Sequence, residues 1–232
     1  MKVALKIQRY HPQKDPKPYY VDYEVEMEPT DRVLDALLEV KAKHDDSLTL
    51  RKSCAHGVCG SDGMRINGRN QLACKVLIRN IAQPIVVEPL IGFAIVKDLV
   101  VDMKTFFDKY RAVKPFLIGK DPAPEKERLQ SPKDRERFDD TTKCILCACC
   151  TTACPSFWTD PGYAGPAAIV QAHRFIFDSR DQGLEERLNQ LNDKEGVWRC
   201  RTVFNCSEAC PRDINVTGAI AEVKREMLNR KI

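Results

Sequence analysis

The chain has 232 residues, with 37 lysines and arginines against 33 aspartates and glutamates, and its net charge is +4 at pH 7. This length can supply hydrophobic cores for two small domains. The charge is small and mixed in sign, unlike the concentrated basic surface of a nucleic-acid-binding protein, so we expect no nucleic acid partner.

The longest apolar stretch, IVVEPLIGFAIV at 85–96, is interrupted by Glu88 and Pro89. It is well short of the roughly 20 residues that span a bilayer, so we expect the chain to have no transmembrane segment. The first residues, MKVALKIQRYHP, alternate like a strand and lack the apolar core of a secretory signal. We therefore expect the chain to start near Met1 and to stay on the cytoplasmic side.

The N-terminal part begins with two segments of alternating polarity, residues 2–9 and 19–27, which predict a hairpin. A helical pattern follows and ends near His44, with Thr30 or Asp31 as the predicted N-terminal cap.

A glycine-rich loop at 51–63 comes next, and three short strands are expected after it. They are predicted near 64–66, 71–78 and 85–90. A small sheet with one crossing helix is typical of a β-grasp fold.

After Asp98 the pattern becomes helical, because several apolar residues share one helical face. These residues are Leu99, Met103, Phe106, Phe107 and Tyr110. Residues 120–137 have the composition of a polar connection, and further helices are predicted from Pro166 and from about Thr217. The second domain is therefore expected to be helical.

The chain contains 11 cysteines, an odd number. A reducing compartment would not maintain disulfides, so thiolates bound to metal are the better interpretation. The run CILCACCTTACP has its cysteines at spacing x2, x2, x3 and ends in Pro155. This spacing is typical of bacterial ferredoxins, in which three cysteines bind one cubane and the fourth binds the other cluster.

A second run, CRTVFNCSEACP, follows the same spacing except that Val203 stands where the middle cysteine is expected. If Cys154 crosses over, this cluster has three thiolates for three irons, which predicts a [3Fe–4S] cluster bound by Cys154, Cys200 and Cys206. The predicted [4Fe–4S] ligands are Cys144, Cys147, Cys150 and Cys210. The alternative is that Val203 is a core residue and a solvent ligand holds a fourth iron.

The N-terminal loop CAHGVCGSDG, together with Cys74, fits a plant-type [2Fe–2S] motif in which Asp62 takes the third position. The predicted ligands are Cys54, Cys59, Asp62 and Cys74. The alternative is an unbound Asp62 with a water in its place. Glycines at 57, 60 and 63 allow the loop to wrap closely and to point its amides at the sulfurs.

One cysteine, Cys149, is left over, and we interpret it as a packed residue rather than a ligand. Zinc also accepts paired cysteines, but a zinc site gives no reason for the gap at Val203. Cys54 and His56 form the C-x-H half of a Rieske motif, yet no matching C-x2-H follows. These patterns together predict an α+β protein. An N-terminal β-grasp [2Fe–2S] plant-type ferredoxin domain would cover 1–105, and an all-helical bacterial-ferredoxin-like domain 106–232.

The chain has no G-x-G-x-x-G nucleotide motif, so its electron source is expected on a partner. The segments SCAHGVCGSDG with LAC, CILCACCTTACPSFW and CRTVFNCSEACP resemble the iron–sulfur subunit of succinate dehydrogenase and fumarate reductase, and the resemblance covers nearly the whole chain.

This resemblance implies a flavoprotein partner with covalent FAD, which interconverts succinate and fumarate. It also implies a membrane-anchor partner that binds quinone and can hold haem. Electrons would pass from FAD through the [2Fe–2S], [4Fe–4S] and [3Fe–4S] clusters to the quinone. The chain would then lie peripherally on the cytoplasmic face of the cell membrane, and it would contribute no catalytic residue.

The resemblance further implies that the quinone pocket borrows Pro155, Ser156, Phe157 and Trp158 from this chain. The Trp158 indole can donate to a quinone carbonyl, although a buried core tryptophan is the alternative. Thr159 and Arg201 depart from the ubiquinone-type pattern of the family and favour menaquinone. We place Arg201 at the same pocket.

Two other functions stay open on residue types alone. The same architecture serves a quinol:fumarate reductase, and the sequence CSEAC favours that direction. A stand-alone ferredoxin-like carrier is the alternative from another class.

Overall fold

The computed structural model describes residues 1–122 and 124–230 of the chain. They divide into two compact units. Unit 1 comprises Met1–Met103 and Ile145–Ala153, and unit 2 comprises Lys104–Cys144 and Cys154–Ile232. The short return of the chain to unit 1 at residues 145–153 has no counterpart in the sequence-based expectations.

Unit 1 is built on a five-stranded sheet with the order β2-β1-β5-β3-β4. Strands β1 (Lys2–Arg9) and β2 (Tyr19–Glu26) pair in antiparallel register, which confirms the predicted hairpin. Strand β1 also pairs with β5 (Ile85–Glu88) in parallel. Its alternate residues point into the core because side chains alternate across a strand, and Val3, Leu5 and Ile7 are buried there.

The crossing helix α1 spans Val33–Lys43, close to the predicted extent. The predicted cap was wrong, since the capping position is Arg32 rather than Thr30 or Asp31. The Asp35 carboxylate accepts a hydrogen bond from the Arg32 backbone N–H at 2.9 Å, so an acid inside the first turn satisfies that donor.

The remaining strands are short. They are β3 (Gly63–Ile66), β4 (Arg69–Leu72), β6 (Ile95–Lys97) and β7 (Val100–Val101). The strand predicted over 71–78 was wrong beyond Leu72, because residues 78–80 form a 3₁₀ turn. The helical pattern predicted from Leu99 was also wrong at its start. Leu99 lies in a turn, Val100 and Val101 form β7, and α2 begins at Lys104.

Unit 2 is helical throughout its described elements. They are α2 (Lys104–Ala112), α3 (Pro132–Thr142), α5 (Pro155–Thr159), α6 (Pro166–Ile176), α7 (Leu184–Leu191), α8 (Asn205–Glu208) and α9 (Val216–Arg230), with a 3₁₀ turn at Val197–Arg199. The four-residue α4 (Cys149–Thr152) belongs to unit 1. The predicted helices from Pro166 and near Thr217 are confirmed, and α6 packs on α9.

Helix α3 begins inside the stretch expected to be a polar connection. Ser131 caps it by accepting a hydrogen bond from the Asp134 backbone N–H at 3.1 Å, and Pro132 occupies the first turn. Of the helices in the described part of the chain, none has the length and apolar character needed to span a bilayer.

Candidate iron–sulfur sites

The loop that contains Cys54 and Cys59 directs backbone amides at sulfur. The N–H groups of His56, Val58 and Cys59 lie 3.5, 3.4 and 3.3 Å from the Cys54 Sγ. These hydrogen bonds lower the pKa of the Cys54 thiol to about 7, and the one from the His56 amide has the largest effect. A thiolate is the form that binds iron, so the loop is organised to hold one.

Left-handed backbone at three positions makes this close wrapping possible. Ala55, Gly57 and Gly60 have φ angles of 59°, 79° and 71°. Glycine adopts this region without a steric penalty, which accounts for two of the three positions. The expected wrapping of the loop around its sulfurs is therefore present.

The other two residues of the predicted [2Fe–2S] group, Asp62 and Cys74, meet in the interior of unit 1. Asp62 is 2% exposed, and its carboxylate accepts a hydrogen bond from the Cys74 backbone N–H at 2.6 Å. Burial raises the pKa of the Cys74 thiol to about 12, and the neighbouring Asp62 carboxylate adds to the rise. The charge of Cys54 also raises the pKa of the Cys74 thiol, so Cys54, Asp62 and Cys74 lie close enough to interact.

The returning segment Ile145–Ala153 packs directly on this loop. A Cβ added at Gly60 would lie 2.8 Å from the Ile145 carbonyl oxygen, and one added at Gly63 would lie 2.9 Å from the Cys147 carbonyl oxygen. Only glycine permits such an approach of two backbones. A ligand predicted for the [4Fe–4S] cluster, Cys147, therefore contacts the loop that holds the [2Fe–2S] ligands.

Sequence reasoning missed Asn70, which fixes the returning segment. Its side-chain N–H donates to the Cys149 carbonyl at 3.1 Å and to the Thr152 hydroxyl at 2.9 Å. The available signal was an amide on the inward face of β4, where the alternation predicts an apolar residue. Cys149 itself is fully buried in the core of unit 1, as expected of a packed residue.

The two cysteine runs have the same backbone. Each has two left-handed residues flanking the middle position of the run, followed by a four-residue helix, α4 in the first run and α8 in the second. These residues are Leu146 (φ 55°) and Ala148 (φ 63°) in the first run, and Thr202 (φ 56°) and Phe204 (φ 64°) in the second. The register that aligns Val203 with Cys147 is therefore present in the fold as well as in the spacing.

Val203 is 48% exposed, so the expectation that it is a core residue was wrong, whereas a solvent ligand on a fourth iron stays an alternative prediction. The three cysteines predicted to bind the three-iron cluster all lie in unit 2. Burial raises the pKa of the Cys206 thiol, and the charges of Cys154 and Cys200 contribute to the rise. The three sulfurs are therefore close enough to interact.

Two hydroxyl groups accompany these three cysteines, and sequence reasoning identified neither. The Thr217 hydroxyl lies 3.5 Å from the Cys206 Sγ and 3.0 Å from the Ser207 hydroxyl. Tyr163 is fully buried, and the charges of Cys200, Cys154 and Cys206 act on its phenol. Burial, followed by these charges, raises the pKa of that phenol well above its usual range.

Four of the residues predicted for the quinone pocket lie in α5, and Arg201 lies in the second run. Ser156 and Phe157 are buried, whereas Trp158 is 47% exposed, so the alternative of a buried core tryptophan was wrong. Arg201 is exposed at the start of the second run. Cys144 and Cys210 are partly exposed in unit 2, and Cys150 is buried in unit 1.

Within residues 1–122 and 124–230, no set of three or more His, Cys, Asp or Glu side chains is arranged around a single metal ion. A cubane places each thiolate on a different iron, and a [2Fe–2S] cluster spreads its four ligands over two irons, so the ligands of a cluster stand further apart than those of one ion. The donor set, which is almost entirely thiolate with one carboxylate, is the set that iron–sulfur clusters use.

A β-grasp unit with a cysteine loop of this kind, together with two ferredoxin-type cysteine runs and a helical unit, defines an iron–sulfur electron-transfer protein. The family described as 2Fe-2S iron-sulfur cluster binding domain matches residues 4–108, and the 4Fe-4S dicluster domain family matches residues 137–211. The predicted α+β fold class is thereby confirmed.

Similar proteins cover nearly the whole chain. The succinate dehydrogenase iron-sulfur subunit of Coxiella burnetii is 45% identical over 97% of this chain and 97% of its own length. The mitochondrial succinate dehydrogenase [ubiquinone] iron-sulfur subunit 1 of Oryza sativa is 45% identical over 91% of this chain and 77% of its own length. A chain of the Mycobacterium smegmatis Sdh1 complex in the apo form matches with a TM-score of 0.89 and 27% identity, covering 99% of this chain and 97% of that one. The chain belongs to the family of succinate dehydrogenase iron–sulfur subunits, as the motifs predicted.

Proposed function

We propose that this chain conducts electrons in a succinate:quinone oxidoreductase, from FAD on a flavoprotein subunit to a quinone at a membrane-anchor subunit. Bound clusters would accept and release single electrons. The [2Fe–2S] cluster is held by Cys54, Cys59, Asp62 and Cys74. The [4Fe–4S] cluster is held by Cys144, Cys147, Cys150 and Cys210, and the [3Fe–4S] cluster by Cys154, Cys200 and Cys206.

The observation that carries the proposal is the contact between two ligand groups inside unit 1. Gly60, which follows the ligand Cys59, has the Cys147 side chain so near that an added Cβ would lie 2.9 Å from its Cβ. The Asp62 charge also acts on Cys147. Electron transfer between centres requires short separations, and this packing supplies one between the first two.

The residues of the chain prepare each group for a charged cluster. The amides around Cys54 donate toward sulfur and offset its negative charge. Burial of Asp62 and Cys74 keeps water away from the inner side of the same group. Solvent exclusion and hydrogen bonds to sulfur are two of the means by which a protein sets a cluster potential.

The three-iron assignment is supported by the shared backbone of the two runs. Val203 occupies the position of Cys147 between two left-handed residues, so the loop presents a side chain there that cannot bind iron. Three cysteines then serve three irons.

The quinone end is proposed at α5 and the start of the second run. The exposed Trp158 indole is available as a donor to a quinone carbonyl, with Pro155 and Ser156 beside it in sequence. Arg201, at the start of the second run, is proposed to line the same pocket. Thr159 and Arg201 favour menaquinone as the quinone. The chain would then sit peripherally at the cytoplasmic face of the cell membrane, held by its anchor partner.

The proposal is tested by purifying the complex anaerobically from native membranes and recording low-temperature EPR with iron and sulfide analysis. We expect three distinct cluster signals, and about nine iron atoms and ten sulfides per chain. Co-purification of a flavoprotein and an anchor is expected as well. A chain isolated alone, with two ordinary cubanes, would contradict the proposal and favour a ferredoxin-like carrier.

The direction of the reaction is tested on the same preparation. Rates of succinate oxidation and of quinol-driven fumarate reduction, measured with a menaquinone analogue and a ubiquinone analogue, distinguish the two physiological roles. We expect succinate oxidation, measured with the higher-potential ubiquinone analogue as acceptor, to be faster than quinol-driven fumarate reduction, and dominant fumarate reduction would reassign the complex.

A further inference from the structure

Tyr163 places a buried hydroxyl near three of the cysteines of unit 2, which are Cys154, Cys200 and Cys206. Its side chain is 0% exposed. Among the buried side-chain nitrogen and oxygen atoms of the described residues, the Tyr163 phenolic oxygen is the one without a hydrogen bond of normal geometry. Leaving a buried hydroxyl without an acceptor costs roughly 1–3 kcal/mol. A protein interior rarely carries such a group without a purpose.

The groups that act on this hydroxyl include three cysteines. The Cys200 side chain lies within its interaction range, and the charges of Cys154 and Cys206 act on it as well. A tyrosine hydroxyl is the donor in this setting because a thiolate is acceptor only. The Cys200 sulfur is therefore an acceptor available to this hydroxyl.

The backbone around Tyr163 holds the ring in place. The Tyr163 N–H donates to the Asp160 carbonyl at 3.1 Å, and the Ala164 N–H donates to the Glu195 carbonyl at 2.7 Å. Lys109 donates to the Tyr163 carbonyl from α2. The donor is thus fixed on both sides before any cluster is bound, and little entropy is lost when it engages an acceptor.

We propose that Tyr163 donates a hydrogen bond to the sulfur of the three-iron cluster on its Cys200 side and thereby raises the reduction potential of that cluster. The inference rests on the proposed function, since it requires the [3Fe–4S] cluster. Reduction adds negative charge to the cluster, and the sulfur becomes a better acceptor. A fixed donor therefore stabilises the reduced state more than the oxidised one. The proton remains on the phenol oxygen in both states.

The second hydroxyl in the group shows why Tyr163 is singled out. Thr217 lies near Cys206, but it also has the Ser207 hydroxyl at 3.0 Å as a partner. Its hydrogen-bonding capacity is used within the protein whether or not a cluster is present. Tyr163 has no comparable partner within the described chain.

The test is the Tyr163→Phe variant of the intact complex, with the potential of the three-iron cluster measured by EPR-monitored redox titration. The change keeps the ring volume and removes the donor. We expect about a tenfold fall in the equilibrium constant for reduction, which is about 59 mV for one electron. The other two clusters serve as internal references, and Tyr110→Phe, a half-buried tyrosine on α2, is the matched control.

A second variant and a second readout keep the test decisive if Tyr163→Phe assembles poorly. Replacement of Tyr163 by 3-fluorotyrosine keeps the hydroxyl and makes it a stronger donor, so the potential should rise. Electron–nuclear double resonance should show a proton coupling to the cluster that is lost on exchange into D₂O and is missing in Tyr163→Phe.

The outcomes separate the inference from the proposed function. A normal three-iron signal whose potential is the same in wild type, Tyr163→Phe and the fluorotyrosine protein overturns the inference alone. A wild-type complex without a three-iron signal overturns the proposed function, and with it the premise of the inference.

Discussion

The two cysteine runs have one backbone and two different surroundings. In the first run, Cys147 is 9% exposed and Ala148 is buried in unit 1. In the second run, the matching Val203 and Phe204 are both about half exposed in unit 2. Both pairs nevertheless follow the same sequence of left-handed residues and lead into a four-residue helix.

The comparison shows that the second run lacks its middle ligand because of the side chain at position 203, and not because its loop has a different backbone geometry. A loop that had lost its cluster function would be free to relax to ordinary φ angles, since left-handed residues other than glycine cost roughly 1–2 kcal/mol each. Thr202 and Phe204 keep that strained geometry around Val203. Strain retained in this way is typical of functional sites.

The largest effect is expected from making the first run resemble the second, with Cys147→Val. The four-iron cluster then keeps three thiolates, so we expect its EPR signal to be replaced by a second three-iron signal, with a loss of about one iron per chain. Cys149→Val is the matched control, because Cys149 is buried in the same segment. An iron content that falls equally in both variants would make Cys149 a ligand.

The reciprocal change, Val203→Cys, should convert the three-iron cluster toward four irons and lower its potential. The shared φ pattern places the new thiol where Cys147 stands in the first run. The expected gain is about one iron per chain, measured by iron analysis and by loss of the three-iron EPR signal. Full iron loading with an unchanged signal would argue against the register.

The packing of the first run on the glycine loop is tested by Gly60→Ala. The new methyl would lie 2.8 Å from the Ile145 carbonyl oxygen at a φ of +71°, so we expect a loss of about 2–4 kcal/mol in the free energy of unfolding.

Gly68→Ala is the control for this change. Gly68 has a similar φ of +79°, and the nearest atom to its added Cβ is 3.8 Å away. It should cost only about 1 kcal/mol, the backbone penalty alone. Equal thermal unfolding of the two loaded variants would mean that the close approach contributes nothing.

The smallest effect concerns the strain in the second run. Thr202→Gly removes the left-handed penalty and adds the entropy cost of glycine, for a net gain of about 0.5–1 kcal/mol in unfolding free energy. Thr202→Ala keeps the penalty and removes the same side chain. The glycine variant should therefore unfold at a higher temperature than the alanine variant, and the reverse order would show that Thr202 is not strained.

Local patterns in the sequence predicted the elements whose residues alternate or repeat clearly. The hairpin follows from alternation in residues 2–9, and α6 follows from Pro166 and the apolar face behind it. The start of α1 was placed wrongly because Arg32 has no capping side chain of the usual type, and the acid that satisfies it, Asp35, lies inside the helix.

The spacing of the cysteines identified nearly all of the candidate cluster ligands. It selected Cys54, Cys59 and Cys74 in one loop region and the two runs in the other. It could not indicate Asn70, whose partner Cys149 is 79 residues away, because such a contact leaves no local pattern. Tyr163 was missed for the same reason, as it stands in an irregular turn between Gly162 and Gly165 with no periodicity around it.

The return of residues 145–153 to unit 1 has a consequence for how the chain is made. The hydrophobic core of this unit includes Cys147 and Cys149, and the Asn70 side chain donates hydrogen bonds to Cys149 and Thr152. On the ribosome, the first 103 residues emerge with a gap in their interior that only a later stretch of the nascent polypeptide can fill. A recombinant fragment cut at Met103 inherits the same gap, with apolar surface uncovered where that stretch belongs.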